Sequence, residues 1–163
     1  MARLGRAIGD KMPLPKDIQD GTRVAGVVHD VGKLYVPSEF LGKPTRLSDL
    51  ELAIIRRHPE VGYNILKGIE FPWPVAQIVL QHHERNDGSR YPHGLRSEDI
   101  LLEARILGVA DVVEAMSSHR PYHPALGLDA ALREVSEHQG VLYDQEVVVG
   151  ACVELIGEGG FAF

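Results

Sequence analysis

Apolar residues recur at intervals of three and four along most of the chain, and this spacing constrains the fold more than any other feature. The strict apolar and polar alternation that is typical of half-buried strands is nearly absent. Val147 to Val149 is the one run where a strand competes with a helix, and the sequence offers it no evident partner strand. We therefore predict an all-α fold with a single compact helical domain.

Capping residues, prolines and glycines divide this pattern into separate helices. Ser48 and Glu51 have the spacing of a capping box, and Pro59 within the same apolar pattern predicts a kink or a restart. Pro74 suits the first turn of another helix. The predicted helical stretches contain Leu4 to Ile8, Asp17 to Asp30 with a stop at Gly32, Ser48 to Leu66, Pro74 to His82, Ile100 to Met116, Leu128 to His138, and Val147 to Ile156.

The composition indicates an ordinary globular domain and argues against several classes of function. The 163 residues are 44% hydrophobic and 25% charged, which gives enough chain to bury a core. The net charge of −6 argues against a broad basic surface that binds duplex nucleic acid. The longest apolar runs fall far short of the roughly 18 residues that indicate a membrane span. The single cysteine, Cys152, cannot form a disulfide within the chain, and we therefore expect a reducing cytoplasm.

Histidines and aspartates on four predicted helices carry the candidate chemistry. A His-Asp dipeptide such as His29-Asp30 is, taken alone, more often a capping or core pair. Asp111 lies in an apolar helix, where a buried carboxylate needs either a metal ion or an arginine partner. Glu84 has two interpretations, as a partner of a ligand histidine or as an exposed glutamate at a helix end. The candidate metal ligands are His29, Asp30, His58, His82, His83 and Asp111.

This set of residue types predicts a reaction class. Imidazole and carboxylate groups suit divalent transition metals, and a carboxylate can bridge two ions. Two such ions favour phosphoester cleavage, since together they activate a water and neutralise charge on the phosphate. We therefore expect a metal site between helices with hydrolytic chemistry.

The order of the motifs resembles the HD-GYP subgroup of the HD phosphohydrolase superfamily. The motifs are His29-Asp30-Val31-Gly32-Lys33, His58 to Gly62, His82-His83-Glu84, Asp87 to Pro92, Asp111, and Arg120-Pro121-Tyr122. The resemblance runs from about Leu4 to Ile156. It implies an all-helical, metal-dependent phosphodiesterase that hydrolyses the bacterial second messenger cyclic di-GMP to linear pGpG, and in many members onward to GMP.

The resemblance also implies a role for each matching residue. The six candidate ligands would bind two or three divalent transition metal ions, with iron or manganese favoured and Asp30 bridging two of them. Lys33 stands where the family has a lysine near the scissile phosphate, so we expect Lys33 and Asp30 to be catalytic. Arg120 and Tyr122 correspond to a loop that binds substrate, where a guanidinium can contact phosphate and a ring can stack on guanine.

Two departures from the family pattern affect these expectations. The signature Gly-Tyr-Pro is Arg90-Tyr91-Pro92 here, and a positive φ at Arg90 would be unfavourable and would rearrange the loop. This departure puts a contact with GGDEF partner domains in question. The family also has a histidine on the helix before the His-Asp pair, and its position would fall just upstream of Met1. We expect residues 1–163 to be an HD-GYP-like domain without the start of its first helix, or a member with a reduced metal site, in a longer protein with an upstream sensor or regulatory domain.

Three functions are compatible with these residues. The leading one is a cyclic di-GMP phosphodiesterase. The main alternative is a catalytically weak or inactive module of the same fold that binds a cyclic nucleotide or a GGDEF domain. A third is an HD phosphohydrolase that acts on nucleoside mono- or triphosphates, but the paired His82-His83 and the downstream Asp-Gly-Ser-x-Tyr-Pro sequence disfavour it.

Overall fold

The computed structural model describes residues 1–117 and 126–156, with side chains described as far as residue 151. Over these residues the fold is all-α, as predicted, and its only β-bridges are isolated pairs. Among the described helices, none combines the length and the apolar character that a bilayer span requires. In the described ranges the α-helices are α1 (Ala2–Asp10), α2 (Lys16–Val28), α3 (Ser38–Leu41), α4 (Asp49–Ile55), α5 (His58–Leu66), α6 (Val75–Gln81), α7 (Leu102–Ser117), α8 (Leu128–Glu137) and α9 (Gln145–Ile156), with 3₁₀ turns at Val31–Tyr35 and Ser97–Asp99.

Helix α7 lies at the centre of the domain because it is apolar around most of its circumference. Ile106 and Val113 face one cluster of buried side chains, which α7 forms with α1, α8 and α9. Ala104 and Leu107 face a second cluster, which α7 forms with α2, α5 and α6. Burial of apolar surface on both sides of one helix therefore fixes the relative positions of the helices that carry the candidate ligands.

The local signals for helix starts are confirmed. The Ser48 hydroxyl accepts a hydrogen bond from the Glu51 backbone N–H, and the Glu51 carboxylate accepts one from the Ser48 N–H at 2.7 Å. The predicted restart near Pro59 is present, since α4 ends at Ile55 and α5 begins at His58. The run from Val147 lies inside α9, so the competing strand interpretation is wrong.

The second helix is shorter than predicted, and the difference shapes the site. Helix α2 ends at Val28 instead of continuing to a stop at Gly32, and His29 and Asp30 lie between it and the 3₁₀ turn. Gly32 lies within that turn, where an added Cβ would collide with the backbone carbonyl of His58. Only glycine permits this close approach, so the turn docks on α5 and holds Asp30 beside His58.

Candidate metal centre and active site

Three of the predicted ligands are histidines that bond to the end of a preceding helix in the same way. A carbonyl oxygen only accepts hydrogen bonds, so each bonded Nδ1 carries its hydrogen and donates it. The accepting carbonyls lie near the ends of α2, α4 and α6, where backbone oxygens lack donors within the helix. Each Nε2 is therefore left with a free lone pair. The Nδ1 to oxygen distances are 2.8 Å for His29 to Gly26, 2.8 Å for His58 to Ile55, and 2.6 Å for His82 to Val79.

The histidine side chains converge on one buried region between the helices. The Nε2 atoms of His58 and His83 are 3.2 Å apart, and the ring centroids of His82 and His83 are 4.0 Å apart. The His29 ring lies 5.4 Å from that of His82. One ligand atom from each of His58, His82 and His83 falls within 4.8 Å of the other two, so this trio could hold a metal ion.

The carboxylate of Asp30 faces the histidine cluster with both oxygens. Its Oδ2 accepts a hydrogen bond from the Lys33 ammonium at 2.7 Å and lies 3.2 Å from Nε2 of His29. Its Oδ1 lies 3.6 Å from Nε2 of His58. The two oxygens thus face different members of the cluster, which is the arrangement that a bridging carboxylate needs.

Two buried polar atoms of this cluster have no hydrogen-bond partner among the described residues. They are Oδ1 of Asp30 and Nε2 of His82. An unpaired buried polar atom costs about 1–3 kcal/mol, so such pairs of atoms are uncommon without a ligand. Carboxylate oxygen and neutral imidazole nitrogen are both good ligands for divalent transition metals. The donor set therefore fits a metal ion.

Burial and neighbouring charges prepare the protonation states that metal binding requires. Burial lowers the pKa of His82 to about 3 and also lowers the pKa values of His58 and His83. Burial opposes ionisation of Asp30, but contacts with His29 and Lys33 outweigh it and hold the pKa of Asp30 well below its usual range. Burial likewise lowers the pKa of His29, and the contacts with Asp30 reverse this effect and raise it above the ordinary value. At neutral pH His58, His82 and His83 are therefore neutral imidazoles beside an anionic carboxylate, whereas a metal ion at His29 would have to compete with a proton.

Asp111 joins the edge of the cluster from α7. Its Oδ2 lies 3.8 Å from Nδ1 of His83, and its side chain is partly buried. No arginine in the described part of the chain forms an ion pair with it. Arg120 and Tyr122, the predicted substrate-binding residues, lie outside the described residues.

The family model for the HD domain matches residues 1–147. The chain belongs to the HD-domain family. This HD domain is 40% identical over 150 residues to the cyclic di-GMP phosphodiesterase response regulator RpfG of Xanthomonas campestris pv. campestris, and the match covers 91% of the chain and 40% of that protein. It is 35% identical over 132 residues to the 3′3′-cGAMP-specific phosphodiesterase 1 of Vibrio cholerae, covering 81% of the chain and 31% of that protein. The chain thus spans less than half the length of these relatives.

A solved structure has the same fold as the HD domain. The structure of Bd1817, described as an HDG"Y"P protein from Bdellovibrio bacteriovorus, superposes with a TM-score of 0.77 over 96% of this chain and 50% of that one. At 19% identity, this likeness shows the fold alone. The resemblance predicted from the motifs is therefore confirmed at the level of the HD domain and of relatives named as phosphodiesterases.

Glu84 has a role in the HD domain that neither sequence interpretation described. Its buried carboxylate accepts hydrogen bonds from the backbone N–H groups of His93 at 2.7 Å and Leu95 at 3.0 Å. These hydrogen bonds hold the loop around His93 and Leu95 against the segment that follows α6. The position of Glu84, directly after the paired histidines and before a turn-rich segment, was the only sequence signal for this role. The backbone N–H groups that it binds could not be identified, because they depend on how the loop folds back.

Tyr91 is the second site residue that the sequence did not place at the cluster. Its ring centroid lies 5.0 Å from that of His83, and the Arg56 guanidinium lies 5.6 Å from the Tyr91 ring. Arg90 does not adopt a left-handed conformation, because the positive φ angles of this loop are at Gly88 and Gly94. Arginine is therefore accommodated at position 90 without the backbone strain that a positive φ would impose.

The anchoring role of Glu84 predicts a loss of stability on amide substitution. Glu84→Gln is expected to lower the free energy of unfolding by about 2 kcal/mol, because the new NH₂ group would face a backbone N–H and leave that donor unpaired. Urea denaturation measures the change. Glu70→Gln, at an exposed position, is the control and should change stability by less than about 0.5 kcal/mol. Equal stability of Glu84→Gln and the parent protein would contradict the anchor.

Proposed function

We propose that this HD domain is the hydrolytic domain of a metal-dependent phosphodiesterase for cyclic di-GMP. The observation that carries the proposal is the cluster of four histidines and Asp30, in which two buried ligand-type atoms lack hydrogen-bond partners among the described residues. Water would add across one P–O3′ bond of the cyclic dinucleotide, which leaves linear pGpG with a 5′-phosphate and a free 3′-hydroxyl. Cleavage of pGpG to GMP is a second hydrolysis of the same kind.

We assign the metal-binding role to His29, Asp30, His58, His82, His83 and Asp111, with two or three divalent ions, iron or manganese. Ions bound there would supply an activated water and offset charge on the phosphate. The chain itself orients the ligands. The Nδ1 bonds to helix-end carbonyls hold three imidazoles with their Nε2 lone pairs available. Asp30, with one oxygen towards His29 and the other towards His58, is suited to bridge two ions.

Lys33 is the proposed contact for the scissile phosphate. Its side chain is about one-third exposed and bonds to Oδ2 of Asp30, so its charge lies at the open edge of the cluster. A fixed positive charge there would stabilise the negative charge that develops on the phosphoryl oxygens. Arg120 and Tyr122 are proposed to bind phosphate and guanine, on the strength of the resemblance alone.

The amino end of α1 lies close to this centre. The backbone nitrogen of Met1 lies beside the carboxylate of Glu114, which is one turn along α7 from Asp111. Ala2 packs against Gly26, whose carbonyl holds His29. We propose that a histidine preceding α1, as the resemblance implies, would complete the metal site. An upstream sensor or regulatory domain, a GGDEF partner and a cytoplasmic location belong to the same proposal. The greater length of the relatives supports a further domain. The GGDEF partner rests on the resemblance, and the cytoplasmic location rests on the single cysteine.

The test of this function is product formation by the metal-loaded protein. We expect chromatography to show pGpG formed from cyclic di-GMP, with no product after chelation and recovery when manganese or iron is restored. 3′3′-cGAMP, the substrate named for one relative, is the comparison substrate. Binding of cyclic di-GMP without any product would favour the alternative of a nucleotide-binding module. A protein that neither binds cyclic di-GMP nor forms any product would contradict the proposal.

A further inference from the structure

A cavity adjoins the histidine cluster. It has a volume of about 330 Å³, and His83 and Asp111 line the wall that it shares with the cluster. Tyr91 and Arg90 also line it, together with Arg85 from the end of α6. A ligand held at the cluster could therefore extend into this space without leaving the protein surface.

Arg90 supplies the positive charge of this cavity that is not held in an ion pair, although it interacts electrostatically with Asp87 and Tyr91. Arg85 is buried, donates a hydrogen bond to the Glu84 carbonyl at 2.8 Å and lies 5.1 Å from the Tyr143 ring, so its guanidinium is already engaged. Arg90 is exposed and makes no ion pair or hydrogen bond with any described residue. A free guanidinium at the wall of a cavity is available to an anionic ligand.

The carboxylates of the cavity do not neutralise Arg90. Asp111 faces His83 at 3.8 Å, on the side of the cluster. Glu134 accepts a hydrogen bond from the Tyr143 hydroxyl at 3.2 Å and lies 3.4 Å from His138. Neither carboxylate lies within 4.0 Å of the Arg90 guanidinium.

The backbone that carries Arg90 is held in place on both sides. The Ser89 N–H donates to the Asp87 carboxylate at 2.9 Å, and Glu84 fastens the loop beyond Pro92. Gly88 lies so close to the Gly94 carbonyl that a Cβ would approach it to 2.9 Å. The loop backbone at Arg90 is therefore already ordered, which limits the conformational entropy that the loop loses when the guanidinium binds a ligand.

We propose that Arg90 is a substrate-binding residue that contacts the second phosphate of a cyclic dinucleotide, the one that is not being cleaved. The inference rests on the proposed function, which places the scissile phosphate at the histidine cluster beside Lys33. A cyclic dinucleotide carries a second phosphodiester on the other side of its ring, and the neighbouring cavity offers that group one free cation. A guanidinium suits this task, because its planar fork pairs with two phosphate oxygens.

The test separates binding of substrate from the chemical step. Arg90→Gln is expected to raise KM for cyclic di-GMP about tenfold and to leave kcat within about twofold, because the lost contact is equally strong before and during reaction. Arg90→Lys should recover part of the loss, since it restores the charge without the fork. Arg96→Gln is the matched control, because Arg96 is an exposed arginine of the same loop and does not line the cavity. Bound metal, measured by elemental analysis, should be equal in all four proteins.

Titration of the metal-loaded proteins with a phosphorothioate analogue of cyclic di-GMP measures the same contact without turnover. A loss of affinity in Arg90→Gln and none in Arg96→Gln supports the assignment. Equal KM and equal affinity in Arg90→Gln and the parent protein overturn it while leaving the proposed function intact. An equal loss in both variants, or a loss of metal in Arg90→Gln, also overturns it. A parent protein that neither binds nor hydrolyses the dinucleotide overturns the proposed function, and the role of Arg90 with it.

Discussion

Replacing Asp30 with asparagine is expected to remove most of the bound metal and to lower the rate of cyclic di-GMP hydrolysis by roughly a thousandfold. The pKa of Asp30 is held well below its usual range, so the side chain is a carboxylate at any pH where the protein would be assayed. Both of its oxygens face the cluster, one towards His29 and one towards His58. An amide keeps the shape but supplies one neutral oxygen and a nitrogen that cannot coordinate a cation.

Elemental analysis of the purified proteins checks the metal, and chromatography checks the product. Asp20→Asn is the matched control, since Asp20 lies on α2 and its pairing with Arg23 is a weak contact of 3.9 Å. The control should keep the metal content and rate of the parent protein. Equal metal content in Asp30→Asn would remove Asp30 as a bridging ligand. Thermal unfolding of the metal-free proteins shows whether the fold is intact.

The helices were predictable because their signals act over a few residues. The capping box at Ser48 joins atoms three residues apart, and Pro59 interrupts the helical hydrogen bonds of its own turn. The apolar spacing around α7 likewise reflects one helix buried on both sides. Such local causes leave a pattern in the sequence itself.

The end of α2 was not predictable in the same way. Gly32 looked like a helix stop, but its need for glycine comes from the carbonyl of His58, which lies far along the chain. The same contact places Asp30 beside His58. Contacts between distant residues leave no local pattern, and the predicted helix therefore ran too far.

The candidate ligands could be named from residue type and motif order, but the supporting residues could not. Histidine and aspartate indicate metal binding by residue type, because imidazole and carboxylate groups are common metal ligands. Glu84 and Arg90 are common residue types whose roles arise from their surroundings. These are a loop backbone that folds back onto the buried Glu84 carboxylate and an open cavity beside Arg90. Their assignments required the fold.

Lys33→Met is expected to lower kcat for cyclic di-GMP by roughly a hundredfold while changing KM by less than about threefold. The ammonium lies 2.7 Å from Oδ2 of Asp30 at the open edge of the cluster. Under the proposed function, negative charge would develop on the phosphoryl oxygens there as the P–O bond breaks. A charge directed at the transition state acts mainly on the rate of the chemical step. Methionine is unbranched and only one atom shorter than lysine, so the substitution chiefly removes the charge and its hydrogen bonds.

The hydrogen bond from Lys33 to Asp30 offers a different role for this lysine, which is to hold the Asp30 carboxylate in place. Metal content separates the two roles. If Lys33 acts on the phosphate, Lys33→Met keeps its metal and loses rate; if it only positions Asp30, metal and rate fall together. Lys43→Met is the matched control, since it removes an equally short ion pair, with Glu51, that involves none of the candidate ligands. It should leave the metal content and the rate unchanged. A Lys33→Met protein with the kcat of the parent would leave the scissile phosphate without the lysine contact proposed for it, and the metal ligands alone would then have to offset the developing charge.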